Sequence, residues 1–173
     1  MLKTTVDVKL LALDFDQTIV DVHTGGTWKN DANSLSQHLR PEMVCLIQQS
    51  LENGIYFAVT SFSQQVDLIR EVVMDGIVAQ AKLKDHPTTI SIQGGSNYSD
   101  PKGKRLQLAN AISEIKKQHR HSGIKAKKTL LIDDDKNNIL LARRDGYQSL
   151  WLDPEHPINV LRTILDLTKG HIT

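Results

Sequence analysis

The feature that most limits what this chain can become is an alternation. Short apolar runs stand at Val6 to Leu10 and on through Leu13, at Ile55 to Val59, at Thr129 to Ile132 and at Gln148 to Leu152. Between them, apolar residues recur at helical spacing. Met43, Val44, Ile47 and Leu51 mark a helix from Pro41 to Glu52, stopped by Asn53-Gly54, and Val66, Ile69, Val72 and Val73 mark a second from Ser63 to Asp75-Gly76. Asp100-Pro101 offers a cap and first turn for a third, carried by Leu106, Leu108, Ala109, Ile112 and Ile115 to about His119. A fourth runs from Asn137 to Arg144 with Gly146 as its stop. The last is opened by Asp153-Pro154-Glu155 and carried by Val160, Leu161, Ile164 and Leu167. Strand-helix alternation with fully apolar strands predicts an α/β three-layer sandwich around a parallel, Rossmann-like sheet. Only Ile77 to Asp100 resists this reading: Ile77-Val78-Ala79 and Thr89 to Ile92 each suit a strand, and Gly94-Gly95-Ser96-Asn97 reads as loop.

At 173 residues and 39% hydrophobic, the chain can fill one core but hardly two, so a single domain over residues 1–173 is expected. The net charge of +1 favours neither wholesale nucleic-acid binding nor an acidic partner. The lone Cys45 excludes an internal disulfide and a cysteine-based zinc cluster, and its helical setting suggests a small buried side chain. The start, Met1 to Thr5, has no apolar segment of signal-peptide length, and no apolar run is long enough to span a bilayer. A cytoplasmic protein without membrane contact is expected.

Parallel sheets place their sites beyond the carboxyl ends of the strands. At those ends stand Asp14 and Asp16, then Thr60 and Ser61, then Asp133 and Asp134. Strand alternation points Asp14 and Asp16 the same way. Two like charges so close need a cation between them, or one must keep its proton. An oxygen-rich carboxylate cluster suits Mg²⁺ far better than zinc. Hydroxyl and amide donors at Thr60 and Ser61, with the cation of Lys102 at a helix N-terminus, suit a phosphate group. In such a pocket Asp14 can attack phosphorus, while Asp16 protonates the leaving oxygen and later activates water. The competing reading of Asp133-Asp134-Asp135 is an acidic first helical turn favoured by the macrodipole, which accounts for Asp135 better than for the other two.

These residues fall into four ordered motifs. The first is Asp14-Phe15-Asp16-Gln17-Thr18, a DxDxT pattern. The second is the apolar run ending in Thr60. The third is Lys102-Gly103-Lys104-Arg105-Leu106, of K-G-x-x-L form, in which Lys102 is preferred and Lys104 is the alternative lysine. The fourth, hhhhDDxxxN, is matched by Leu130 to Asn138. In this the chain resembles the haloacid dehalogenase-like superfamily, and the order of the set carries the resemblance more than any single member. The resemblance implies a Mg²⁺-dependent phosphatase with Asp14 as nucleophile, Asp14, Asp133 and Asp134 at the metal, and Asp16 as acid and base whose backbone carbonyl also meets the metal.

The resemblance also implies an open site. The gaps after the first motif and before the lysine are too short for an independently folded cap. Residues 19–39 read instead as a polar flap, with His23 and Trp28 as the lip. Minimally capped members of the superfamily often act on phosphorylated macromolecules, so a phosphoprotein is an expected substrate beside small phosphometabolites. The basic run with Lys116, Lys117, Arg120, Lys125, Lys127 and Lys128 could dock a phosphoprotein or, as a lesser expectation, nucleic acid, although a solvated helix face with its C-terminal charges is the preferred reading. The alternative function is a regulatory protein that binds phosphate without turning it over.

Overall fold

The computed structural model describes residues 7–81, 90–95 and 102–169. Its strands are β1 (Leu10–Leu13), β2 (Tyr56–Thr60), β3 (Ile90–Gln93), β4 (Thr129–Asp133) and β5 (Gln148–Trp151). All pair in parallel in one sheet of order β3-β2-β1-β4-β5. The helices are α1 (Ala32–Ser36), α2 (Pro41–Glu52), α3 (Val66–Gly76), α4 (Arg105–Gln118), α5 (Lys136–Arg144) and α6 (Ile158–Lys169).

Alternation along the strands divides the core in two. Leu11, Leu13, Phe57, Val59, Leu130 and Ile132 face Met43 and Ile47 of α2, Ile69 and Val72 of α3, and Val160 of α6. Leu10, Ala12, Ala58 and Leu131 face Leu108, Ala111 and Ile115 of α4 with Ile139 and Ala142 of α5. The central strands β1, β2 and β4 are thus covered on both sides, which is why their runs are largely apolar rather than alternating. β1 is central. Leu10 to Leu13 pair with Tyr56 to Val59 on one side and with Thr129 to Ile132 on the other. One residue further on, Asp14, Thr60 and Asp133 stand level at the carboxyl edge, and the Asp14 amide still donates to the Ile132 carbonyl at 3.0 Å.

The structure corrects several sequence expectations. Ile77-Val78-Ala79 is not a strand: Ile77 still donates to the Val73 carbonyl, and a single tight turn covers Val78–Gln80. Ile77 and Val78 are apolar because they are buried in the core cluster that α2 and α3 also build. Gly76 closes α3, but its small size also serves packing, since a Cβ there would meet Leu39 Cδ1 at 2.8 Å. Cys45 is exposed, not buried, because Met43, Leu46 and Ile47 take the inner face of α2 and turn it outward. The flap is not wholly irregular. Asp31 caps α1 by accepting from the Ser34 amide at 2.8 Å, and Ile19, Val20, Ala32 and Leu35 enter the core. The helix expected from Asp100-Pro101 begins at Arg105, and Asp100 and Pro101 lie outside the described residues, as do Val6 and Thr89. The last helix starts at Ile158 because Asp153 spends its carboxylate on the Glu155 amide and His156 in a separate turn. Among the described residues no helix is long and apolar enough to cross a membrane.

Candidate active site at the carboxyl edge of the sheet

Asp14 leaves β1 in extended conformation and is almost fully buried. The chain then breaks into a wide turn over Phe15–Ile19, closed by Val20 N–H to the Phe15 carbonyl at 3.1 Å. Inside it Gln17 takes φ 58°, the left-handed region that costs a non-glycine residue about 1–2 kcal/mol. Strand alternation therefore does not extend to Asp16. The turn, rather than the pleat, brings Asp16 to the same cavity as Asp14. There the Asp16 carboxylate accepts from the Thr24 amide at 3.0 Å and from the Thr24 hydroxyl at 2.9 Å, and it meets His23 Nδ1 at 2.8 Å. The flap holds Asp16 by these contacts.

The lysine at the site is Lys104, not the preferred Lys102. Lys104 is 2% exposed, and its Nζ donates to Asp14 Oδ1 at 2.5 Å and to the Thr60 carbonyl at 2.6 Å, with the Phe62 ring centroid 4.1 Å away. Lys102 is exposed on the turn that precedes α4. The reason is Gly103, at φ 56°, where a Cβ would meet Leu141 Cδ1 at 2.9 Å and Asn138 Oδ1 at 3.0 Å. The left-handed step pressed against α5 leaves one lysine outside and turns the next one in.

Asp133 and Asp134 follow from β4. Asp133 is fully buried, accepting from the Asp135 amide at 2.9 Å and from Asn138 Nδ2 at 3.0 and 3.2 Å. Asp134 accepts from the Thr18 hydroxyl at 3.3 Å. Asp135 caps α5 by accepting from the Asn137 amide, which leaves it a local structural task. One carboxylate oxygen from each of Asp14, Asp133 and Asp134 lies within 4.8 Å of the others.

Charge at this cluster is poorly compensated by the protein alone. Burial pushes Asp14 upward, and the Lys104 ammonium only partly offsets it. Burial first, and the charge of Asp14 second, push Asp133 up to about 8 and Asp134 up to about 6. A second cation is what the cluster asks for. The donors are all oxygen, so the fit is to a hard divalent ion held by Asp14, Asp133 and Asp134. The Asp16 side chain stands apart from this triad, engaged by the flap.

These groups open into a cavity of about 580 Å³ whose walls include Gly25 and Gly26 of the flap and the Ser61-Phe62-Ser63 turn after β2. Ser61 lines it, and its Oγ accepts from the Ser63 amide at 3.0 Å. Thr60 does not line it: its side chain is wholly buried, with the hydroxyl 3.4 Å from the Leu13 carbonyl, while its own carbonyl receives Lys104. His23 forms part of the lip as expected. Trp28 is a packing anchor, its indole N–H donating to Ser34 and its ring edge-on to His38. Sequence reasoning missed Thr24 and Gln65. Gln65 accepts from the Trp28 amide at 2.6 Å and donates to the Trp28 carbonyl at 3.0 Å, joining the flap to the start of α3. No motif announces either residue. The basic run lies elsewhere. Lys116 and Lys117 in the last turn of α4, and Arg120, Lys125 and Lys127 in the segment between α4 and β4, are exposed and absent from the cavity lining.

Neither protein-family models nor curated protein sequences give a match to the chain. Solved structures do. The N-terminal part of a Bacteroides fragilis protein, containing a phosphatase domain and complexed with Mg, aligns at TM-score 0.55 and 17% identity over 90% of this chain, which spans 39% of that one. The cobalt-bound deoxy-D-mannose-octulosonate 8-phosphate phosphatase of Haemophilus influenzae aligns at 0.52 and 20%, over 87% of this chain and 71% of that one. A HAD family enzyme of Bacteroides thetaiotaomicron, in complex with magnesium and inorganic phosphate, aligns at 0.51 and 11%, over 85% and 95%. The fold is that of the haloacid dehalogenase-like superfamily. Within the haloacid dehalogenase-like fold the described residues contain no large cap, and the small flap of residues 19–39 is the nearest equivalent.

Proposed function

We propose that this protein is a Mg²⁺-dependent phosphatase that hydrolyses a phosphomonoester through an aspartyl-phosphate on Asp14. One observation carries the reading: a buried carboxylate at the end of the central strand, gripped at one oxygen by a buried lysine and flanked by two further carboxylates. The grip fixes the carboxylate and leaves its other oxygen for attack on phosphorus. Lys104 supplies a fixed positive charge where negative charge gathers on the transferring phosphoryl group. The Ser61 hydroxyl, whose oxygen accepts from the Ser63 amide, stands at the cavity wall as a further donor. Asp16, oriented by Thr24 and His23, gives its proton to the leaving oxygen as the phosphorus–oxygen bond breaks. It then takes a proton from water, whose oxygen attacks the phosphorus of the aspartyl-phosphate and frees phosphate and Asp14. A Mg²⁺ ion held by Asp14, Asp133 and Asp134, with the Asp16 backbone carbonyl that the family resemblance adds, would neutralise the carboxylates and the phosphate together. The neighbours solved with magnesium, one also with phosphate, support this choice of ion.

The substrate class follows from access. A cavity bounded by a short flap admits a phosphate carried on a larger body, so a phosphoprotein side chain is the proposed substrate beside small phosphometabolites. The basic run stands at the far edge of the sheet and cannot line the site. The test is Mg²⁺-dependent release of phosphate from an aryl phosphate, then from a panel of phosphopeptides and phosphometabolites. Release by the wild type and none by a folded Asp14→Asn variant is the expected result. Full activity in that variant would sink the mechanism, and phosphate binding without release would favour the regulatory alternative.

A further inference from the structure

The two metal-side carboxylates are not held alike. The Asp133 carboxylate is locked by an amide and by Asn138, whereas the side-chain donor to the Asp134 carboxylate is the Thr18 hydroxyl, at a longer 3.3 Å. What fixes Asp134 lies behind it. Trp151, the last residue of β5, pairs with Asp133 in the sheet register, and its indole N–H donates to the Asp134 carbonyl at 2.7 Å. The next amide, of Leu152, donates to the Asp133 carbonyl at 3.0 Å. Successive carbonyls of the Asp133-Asp134 pair are thus both held from β5, one by backbone and one by a side chain. Beyond Asp133 the strand pairing ends, so the indole extends the ladder by one rung that no backbone group supplies.

The indole is itself pinned. Lys136 Nζ, in the first turn of α5, lies 4.2 Å from its ring centroid. Trp151 remains 38% exposed and is not among the cavity-lining residues, so burial alone does not explain a large aromatic at this spot. We infer that Trp151 is a positioning residue for Asp134, setting the backbone from which the carboxylate reaches the metal; this rests on the reading of Asp14, Asp133 and Asp134 as the Mg²⁺ site. Groups that orient a ligand from behind typically tune metal affinity without touching the ion.

The sequence holds two tryptophans, so a Trp28→Phe background leaves Trp151 as the sole indole reporter. In that background, Mg²⁺ titration is expected to change the emission with the same midpoint that calorimetry gives, and Asp134→Asn is expected to abolish the change. Trp151→Phe keeps a ring beneath Lys136 and removes the donor; its Mg²⁺ dissociation constant by calorimetry is expected to rise about ten-fold. Should Trp151→Phe fold poorly, the benzothienyl analogue of tryptophan at that position removes only the N–H and is expected to give the same weakening. Unchanged Mg²⁺ affinity in either variant, while Asp134→Asn still loses the ion, would overturn the positioning role and leave the metal reading intact. Failure of the wild type to bind Mg²⁺ at all would overturn both.

Discussion

Asp133 closes a regular strand and Asp134 follows it directly before the cap of α5, whereas Asp16 lies inside the wide Phe15–Ile19 turn that follows Asp14. The first pair is held from the sheet and α5: Asn138 and the Asp135 amide bind the Asp133 carboxylate, and Leu152 and Trp151 hold the two carbonyls from the end of β5. The second pair is divided between two owners: Lys104 grips Asp14 from α4's side, and Thr24 and His23 grip Asp16 from the flap. Groups that bind an ion can be built into the rigid sheet edge. On the proposed mechanism, the group that hands a proton to the leaving oxygen is tied instead to the flap.

That contrast can be broken in order of expected effect. Asp134→Ala and Asp133→Asn should each lower turnover by about a thousand-fold or more, with loss of Mg²⁺ binding by calorimetry, because both remove a metal-side group. Lys104→Met comes next. It strands a buried carboxylate, so it should lower stability by about 3 kcal/mol in denaturant titration and cut turnover about a hundred-fold, while Lys102→Ala should do neither. Thr24→Val, on the flap side, should leave Mg²⁺ affinity alone and lower kcat about ten-fold, since it removes a hydroxyl donor to Asp16 and leaves the amide. If Thr24→Val weakened Mg²⁺ as much as Asp134→Ala, the division between the two sides would fail.

Proton linkage gives a smaller but sharper test. Between an ordinary carboxylate value of 3.8 and the value of about 8 in the folded protein, Asp133 keeps a proton that the unfolded chain has released. Asp134 does the same up to about 6. Metal-free stability from these groups therefore falls as pH rises across that window. Mg²⁺ competes with those protons, so the rise in Tm on adding Mg²⁺ should be larger at pH 8 than at pH 6, and a chelator should reverse it.

What could be read from residue order was whatever depends on period. The strands and the bounds of α2 follow from apolar spacing and a proline at the first turn, and Asp133-Asp134 follow from a strand end. What could not be read depends on one local backbone step or on a contact between distant segments. Lys102 and Lys104 differ only in which side of a left-handed Gly103 they occupy. Ile77 and Val78 carry a strand's composition because burial, not pairing, selects them. Asp16 shares the cavity with Asp14 by way of the turn that begins at Phe15, which no alternation rule contains. Thr24, Gln65 and Trp151 act across loops that no motif marks.

The double hydrogen bond between Gln65 and both backbone groups of Trp28 makes one amide side chain stand in for a strand partner. The flap is therefore tethered to the start of α3 by the reach and the chemistry of a single side chain: an asparagine at 65 would be too short to make both bonds, and a glutamate would lose the donor to the Trp28 carbonyl, each without touching a residue of the chemistry.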